Sequence, residues 1–183
     1  MRIEIQSKRL ELELSQYLSL CKKVTDQVIT EYFDDVKSIH VFIGMQKKRE
    51  INTLPVIVEA LRRGIEVWAP VILANKTLVH GKIKSLSDLN EGPFGLIQPE
   101  EDSNLVETEL VLVPGLAFTL DGNRIGWGKG YYDGFLSNLR SDTILAGLCF
   151  DFQLLPVVPV DIWDVKMNRI ITESGSYICQ SSI

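Results

Sequence analysis

The sequence has 183 residues, with 19 Lys and Arg against 24 Asp and Glu, a net charge of −5, and a hydrophobic content of 45% that supplies a core. A chain of this length buries ~70% of its unfolded surface, so one domain over 1–183 is expected to hold together without a disulfide or metal staple. Net acidity speaks against nucleic acid as the main partner but leaves room for a local basic pocket for a small anion.

Cys21, Cys149 and Cys179 form neither a CxxC pair nor a zinc-like cluster; their odd number fits reduced thiols better than a stapled secreted domain. The opening segment MRIEIQSKRLELEL lacks an apolar signal core, and no run approaches the ~20 apolar residues of a membrane span. The expectation is a soluble, cytoplasmic, monomeric protein whose partners are small molecules rather than nucleic acid or membrane.

Taken in order, Leu10, Leu14, Tyr17, Leu18 and Cys21 recur at helical spacing and predict one apolar helix face, with a further helical stretch from Val24 to Phe33. Ile39 to Gly44 is a β-rich run closed by glycine, as expected of a buried strand. The polar loop MQKKREIN follows. Thr53 is expected to cap a helix with Pro55 at its second position and Gly64 as its stop. Strands are predicted at Ile65 to Val71, Leu110 to Val113 and Thr143 to Phe150, with a helix around Gly134 to Leu139. Between 76 and 109 the signals weaken into short strands and loops. Strands alternating with helices predict an α/β single-domain three-layer sandwich, Rossmann-like, with a mostly parallel, mixed β-sheet and ligand loops at the carboxyl ends of its strands. His40 and His80 each stand without a His or Cys at ligand spacing and receive no role.

The segment PGLAFTLDGNRIGWGKGYYDGF, residues 114–135, is the most informative. Gly122, Gly126, Gly128 and Gly130 flank Arg124 and Lys129 just before a helix whose first turn would carry Tyr131, Tyr132 and Asp133. Glycines allow close backbone approach, and the cations neutralise phosphate oxygens. A P-loop is excluded because Asn123 stands five before Gly128 and Gly130 follows Lys129. A dinucleotide fingerprint is excluded because the glycines are spaced Gly-x-Gly-x-Gly. The bland alternative is a glycine-rich turn with solvated cations.

This run strongly resembles the signature of the 5-formyltetrahydrofolate cyclo-ligase family, also called methenyltetrahydrofolate synthetase. Similarity extends to the FIGM strand end, to REINT, to Ile97-Gln98-Pro99 and to VPVDIWD. The resemblance implies a single-domain α/β enzyme that uses ATP and Mg²⁺ to cyclise 5-formyltetrahydrofolate to 5,10-methenyltetrahydrofolate. It implies phosphorylation of the formyl oxygen, attack by the folate N-10 amine, and release of ADP and phosphate. Such chemistry asks for positioning and charge neutralisation rather than a protein nucleophile.

Carried over residue by residue, the resemblance puts Arg124, Ile125, Gly126, Trp127, Gly128, Lys129, Gly130, Tyr131 and Tyr132 at ATP, with Lys8 and Arg9 of the opening helix joining them. Lys129, Arg124 and Tyr132 would be the catalytic set. Ile43, Glu50, Trp127, Gly128, Lys129, Gly130 and Tyr131 would meet the folate, Glu50 accepting paired hydrogen bonds from the pterin. Asp133 and Asp164 would hold Mg²⁺. The alternatives are a first-turn helix acid for Asp133, a solvated loop acid for Asp164, a surface Glu50 and a core Ile43.

The family helix usually reads Lys-x-x-Leu-Arg, and here Lys8 matches while Leu12 stands where the Arg would be. The loop carrying Lys47, Lys48 and Arg49 is about two residues longer than the family's usual one, and Trp163 and Asn168 replace a His and an Asp of the family's closing element. These departures motivate a second reading, a non-catalytic folate- or nucleotide-binding relative. A ligase or kinase for another heterocycle is a third.

Overall fold

The computed structural model describes residues 1–75, 77–102, 107–128 and 131–180, the side chains of Tyr131 and Asp133 excepted. The chain opens with α1 (Arg2–Leu10) and α2 (Leu14–Tyr32). The expected single stripe is corrected here: Tyr17 and Cys21 are buried, but Leu10, Leu14 and Leu18 are exposed. The helix stops at Leu10, and Glu13 is extended at φ −60°, ψ 149°, so the helical phase restarts at Leu14. The buried face of α2 is instead Tyr17, Cys21, Val24, Val28 and Tyr32, in steps of three and four.

Next come β1 (Ser38–Val41), α3 (Leu54–Arg62), β2 (Glu66–Ile72) and β3 (Leu78–Ile83). Thr53 stands at the start of α3 without capping it. Its buried hydroxyl donates to the Phe42 carbonyl at 2.5 Å, while Asn52 Oδ1 accepts the Leu54 N–H at 3.2 Å. The other end stops as expected. Gly64 takes φ 75°, its N–H meets Leu61 O at 3.1 Å, and the Ile65 N–H meets Ala60 O at 2.9 Å. This double closure satisfies the last helical carbonyls.

A small hairpin pairs β4 (Asn90–Glu91) with β5 (Ile97–Gln98) ahead of β6 (Leu110–Pro114). A second ribbon pairs β7 (Ala117–Phe118) with β8 (Arg124–Ile125). Then follow α4 (Tyr131–Leu136), β9 (Ile144–Leu148), β10 (Arg169–Ile171) and β11 (Ser176–Ile178).

The main sheet has seven strands in the order β11-β10-β9-β6-β1-β2-β3. The inner five are parallel and both edges antiparallel, which is the mixed, mostly parallel sheet expected. Alternation along β6 divides the core. Leu110 and Leu112 pack toward α2 and α3, and Val111 and Val113 toward Phe135 and Leu136 of α4. The second helical layer is thin, with the six-residue α4 as its helix among the described residues. From β1 the chain winds first toward β2 and later toward β6, so strand order reverses between β1 and β6. The crevice at the carboxyl ends of these two strands is where an open α/β sheet binds ligands.

Candidate active site

A cleft of about 820 Å³ opens at this point, toward the upper end of the roughly 300–1,000 Å³ usual for ligand pockets. Its walls come from Phe42, Ile43 and Glu50 after β1, Pro70 and Ile72 of β2, the β4–β5 hairpin, Pro114 of β6, and the glycine-rich segment after β7.

The loop after β1 is locked on itself. A short turn at Gln46–Lys48 ends in Arg49 with left-handed φ 51°, the Glu50 N–H reaches Met45 O at 3.3 Å, and Glu50 Oε2 accepts the Met45 N–H at 2.8 Å. Helix α2 braces it. Tyr17 donates its hydroxyl to Glu50 O at 2.7 Å, and Cys21 Sγ accepts the Asn52 N–H at 3.3 Å. Glu50 is therefore buried (6% exposed) with a fixed carboxylate at the cleft wall, not a surface acid. The indole N–H of Trp127 completes the arrangement, donating to Glu50 Oε1 at 2.9 Å.

The same lining carries Arg124, Ile125, Gly126, Gly128 and Tyr132. The Arg124 guanidinium is 5.9 Å from the Tyr132 ring and donates to Pro114 O at 3.5 Å. The Tyr132 hydroxyl has no hydrogen-bond partner among the described residues. Burial holds it well above the ordinary phenol range, with the Glu50 charge adding to the rise, so it stays a neutral donor. A buried orphan hydroxyl at a cleft is ready to be satisfied by a ligand.

Asp164 also lines the cleft. Its Oδ2 accepts the Asp161 N–H at 2.7 Å, which leaves further acceptor capacity on the carboxylate. No group of three or more His, Cys, Asp or Glu side chains gathers among the described residues. Lys129 and Gly130 lie outside the described residues, as do the side chains of Tyr131 and Asp133.

The expected positions thus gather at one cleft for Ile43, Glu50, Arg124 to Gly128, Tyr132 and Asp164. Lys8 and Arg9 are not on its lining. Lys8 is half exposed and pairs with Glu4 at 3.2 Å, and Arg9 is buried behind Trp127, its guanidinium 5.4 Å from the ring. The substituted Asn168 serves the sheet instead, since its Oδ1 accepts the Leu145 N–H at 2.7 Å and continues the pairing of β9. Trp163 is 78% exposed.

Arg2 and Phe94 are among the wall residues that escape sequence reasoning. Arg2 lines the cleft and donates from Nε to Gly126 O at 3.2 Å, tying the first turn of α1 to the glycine-rich segment. Phe94 stands at the hairpin tip in a left-handed conformation, φ 64° and ψ 17°, with 60% of its surface exposed. The two histidines, solitary in sequence, meet across β2 with His40 Nε2 and His80 Nδ1 3.2 Å apart.

An open α/β sheet with a cleft at its switch point, lined by aromatic, cationic and glycine residues, is the kind of site in which an α/β protein holds a small ligand. The chain matches the model of the 5-formyltetrahydrofolate cyclo-ligase family over residues 1–173. It belongs to that family and is an enzyme of it. A probable 5-formyltetrahydrofolate cyclo-ligase of Schizosaccharomyces pombe is 28% identical over 175 residues, covering 86% of this chain and 84% of the relative. The Escherichia coli 5-formyltetrahydrofolate cyclo-ligase is 26% identical over 177 residues, covering 93% and 97%. In structure, the 5,10-methenyltetrahydrofolate synthetase of Aquifex aeolicus superposes with TM-score 0.85 at 26% identity, over 100% of this chain and 92% of that one. The Mycoplasma pneumoniae synthetase, at 22% identity and TM-score 0.75 over 94% and 96%, shares the fold.

Proposed function

We propose that the whole chain is one cyclo-ligase domain that converts 5-formyltetrahydrofolate to 5,10-methenyltetrahydrofolate at the expense of ATP. The observation that carries this reading is the fixed Glu50 carboxylate paired with Trp127 on the wall of a cleft whose lining also carries Arg124 and Tyr132. An ionised carboxylate has about four lone-pair sites. The Met45 and Trp127 N–H groups use two, and the others face the amino and ring N–H groups of a pterin. Ile43 supplies apolar contact, and Trp127 a flat surface for the ring system.

An N-formyl oxygen is a poor leaving group. It takes the γ-phosphoryl group of ATP as ADP departs; the N-10 amine then attacks the formyl carbon, closes the five-membered ring and loses its proton as inorganic phosphate leaves. Arg124 and Lys129 neutralise phosphate oxygens and the Tyr132 hydroxyl donates to one of them, so the protein acts by positioning and electrostatics. Mg²⁺ suits this donor set, because it is commonly held by one or two carboxylates together with substrate phosphates; Asp164 and Asp133 are its ligands in this reading, and it would neutralise phosphate charge. The acidic chain with its small-molecule cleft fits a monomeric cytoplasmic enzyme.

Mixing protein, 5-formyltetrahydrofolate and MgATP should give the methenyltetrahydrofolate absorbance with stoichiometric ADP. Tight folate binding with neither product would instead favour the non-catalytic reading, which the outward turn of Lys8 toward Glu4 supports.

A further inference from the structure

Arg9 occupies an expensive position. It is 2% exposed, on the same face of α1 as the buried Ile5, where an apolar side chain would avoid the cost of burying a charge. Its Nε–H has no partner among the described residues, and no carboxylate among them pairs with it directly. It touches the cleft only through others. The guanidinium lies 5.4 Å from the centre of the Trp127 ring, whose other flanking cation is Lys48 at 4.0 Å. Burial disfavours its charge and the nearby Glu50 and Tyr17 favour it. Arg9 also borders a small recess shared with Phe42, Glu50 and Pro114, behind the cleft wall.

We propose that Arg9 is a positioning residue that fixes the Glu50–Trp127 pair from behind, so that the ring-binding wall of the cleft is preformed, and is not a clamp on nucleotide phosphate. This rests on the reading of that wall as the folate subsite. The cation draws the face of the indole toward α1, and the indole N–H in turn holds the Glu50 carboxylate at 2.9 Å. The same residue that steadies the stacking surface thereby steadies the acceptor for the pterin.

The test labels the protein with 5-fluorotryptophan, giving separate fluorine NMR resonances for Trp68, Trp127 and Trp163, assigned by single Trp→Phe variants. In Arg9→Met the Trp127 resonance should shift while those of Trp68 and Trp163 stay, and the KM for 5-formyltetrahydrofolate should rise about tenfold with the KM for ATP unchanged. Arg9→Lys, which keeps the charge, should recover most of the folate KM. An unmoved Trp127 resonance, or a raised KM for ATP with the folate KM intact, overturns the proposal. Should Arg9→Met fail to fold, Arg9→Lys and Arg9→Gln decide it by the same readouts, the Lys variant staying near wild type and the Gln variant not. The resonances are read without substrate. A wild-type protein with no turnover therefore overturns the functional reading, while the shift still decides where Arg9 acts.

Discussion

Trp127 and Glu50, 77 positions apart in sequence, are joined by an indole N–H to carboxylate hydrogen bond of 2.9 Å at the cleft wall. The pair is charge-assisted and partly buried, and a hydrogen bond to a charged group contributes about 1.5–3 kcal/mol. Glu50→Gln keeps one acceptor for Trp127 but sets an amide donor against the Met45 N–H. The folate KM should rise roughly 10- to 100-fold, with the ATP KM near wild type, in steady-state assays varying each substrate in turn. A rise in the ATP KM alone would place Glu50 at the nucleotide.

Tyr132 separates function from stability. Its hydroxyl is unsatisfied among the described residues, so deleting the oxygen removes a buried polar cost rather than a bond. Tyr132→Phe should melt at or above the wild-type temperature yet turn over about 10-fold or more slowly. Full activity in the variant would remove this hydroxyl from the reaction.

The paired histidines, His40 buried and His80 half-buried, set an acid limit on stability. Burial drives His40 well below the ordinary imidazole range, helped by the field of His80, and burial lowers His80 as well. As pH falls through about 6.5 the unfolded chain takes up protons that the fold does not accept. The unfolded state then binds more protons, and stability drops toward lower pH. Thermal melts between pH 7.5 and 5.5 should show a falling midpoint, and His40→Leu should flatten that fall.

Gly147 tests the packing under α4. A Cβ there would meet Phe118 ring carbons at 2.4 and 2.7 Å and Ile170 Cδ1 at 3.0 Å. Phe118 is fully buried in the strand ribbon and has nowhere to go. Gly147→Ala should lower the urea unfolding free energy by about 1–3 kcal/mol while both KM values hold.

The strands that sequence finds most readily are those buried on both faces. The β6 and β9 segments read as unbroken apolar runs, and β1 and β2 nearly so, interrupted by His40 and opened by Glu66, because helices and loops cover each side. The short strands Arg169–Ile171 and Ser176–Ile178 leave no such trace, three residues being too few for a pattern. The merged Leu10 to Cys21 stripe fails for a related reason: periodicity runs on through a break that one extended residue, Glu13, is enough to make. At the site, motif residues such as Arg124 and Trp127 are legible since they lie within one continuous stretch of sequence. Arg2 and Phe94 are not, because their reach into the cleft depends on how α1 crosses the glycine-rich segment and how a hairpin leans over β2.

The side chain of Gln98 ties that hairpin to β2. The buried amide of Gln98 accepts the Ile72 N–H at 2.9 Å and donates to the Ile72 carbonyl at 3.3 Å, imitating a strand neighbour where β2 runs out. One wall of the cleft is thus keyed to the sheet through an amide that stands in for a missing strand, so the position of the β4–β5 hairpin over the crevice is set by the end of β2.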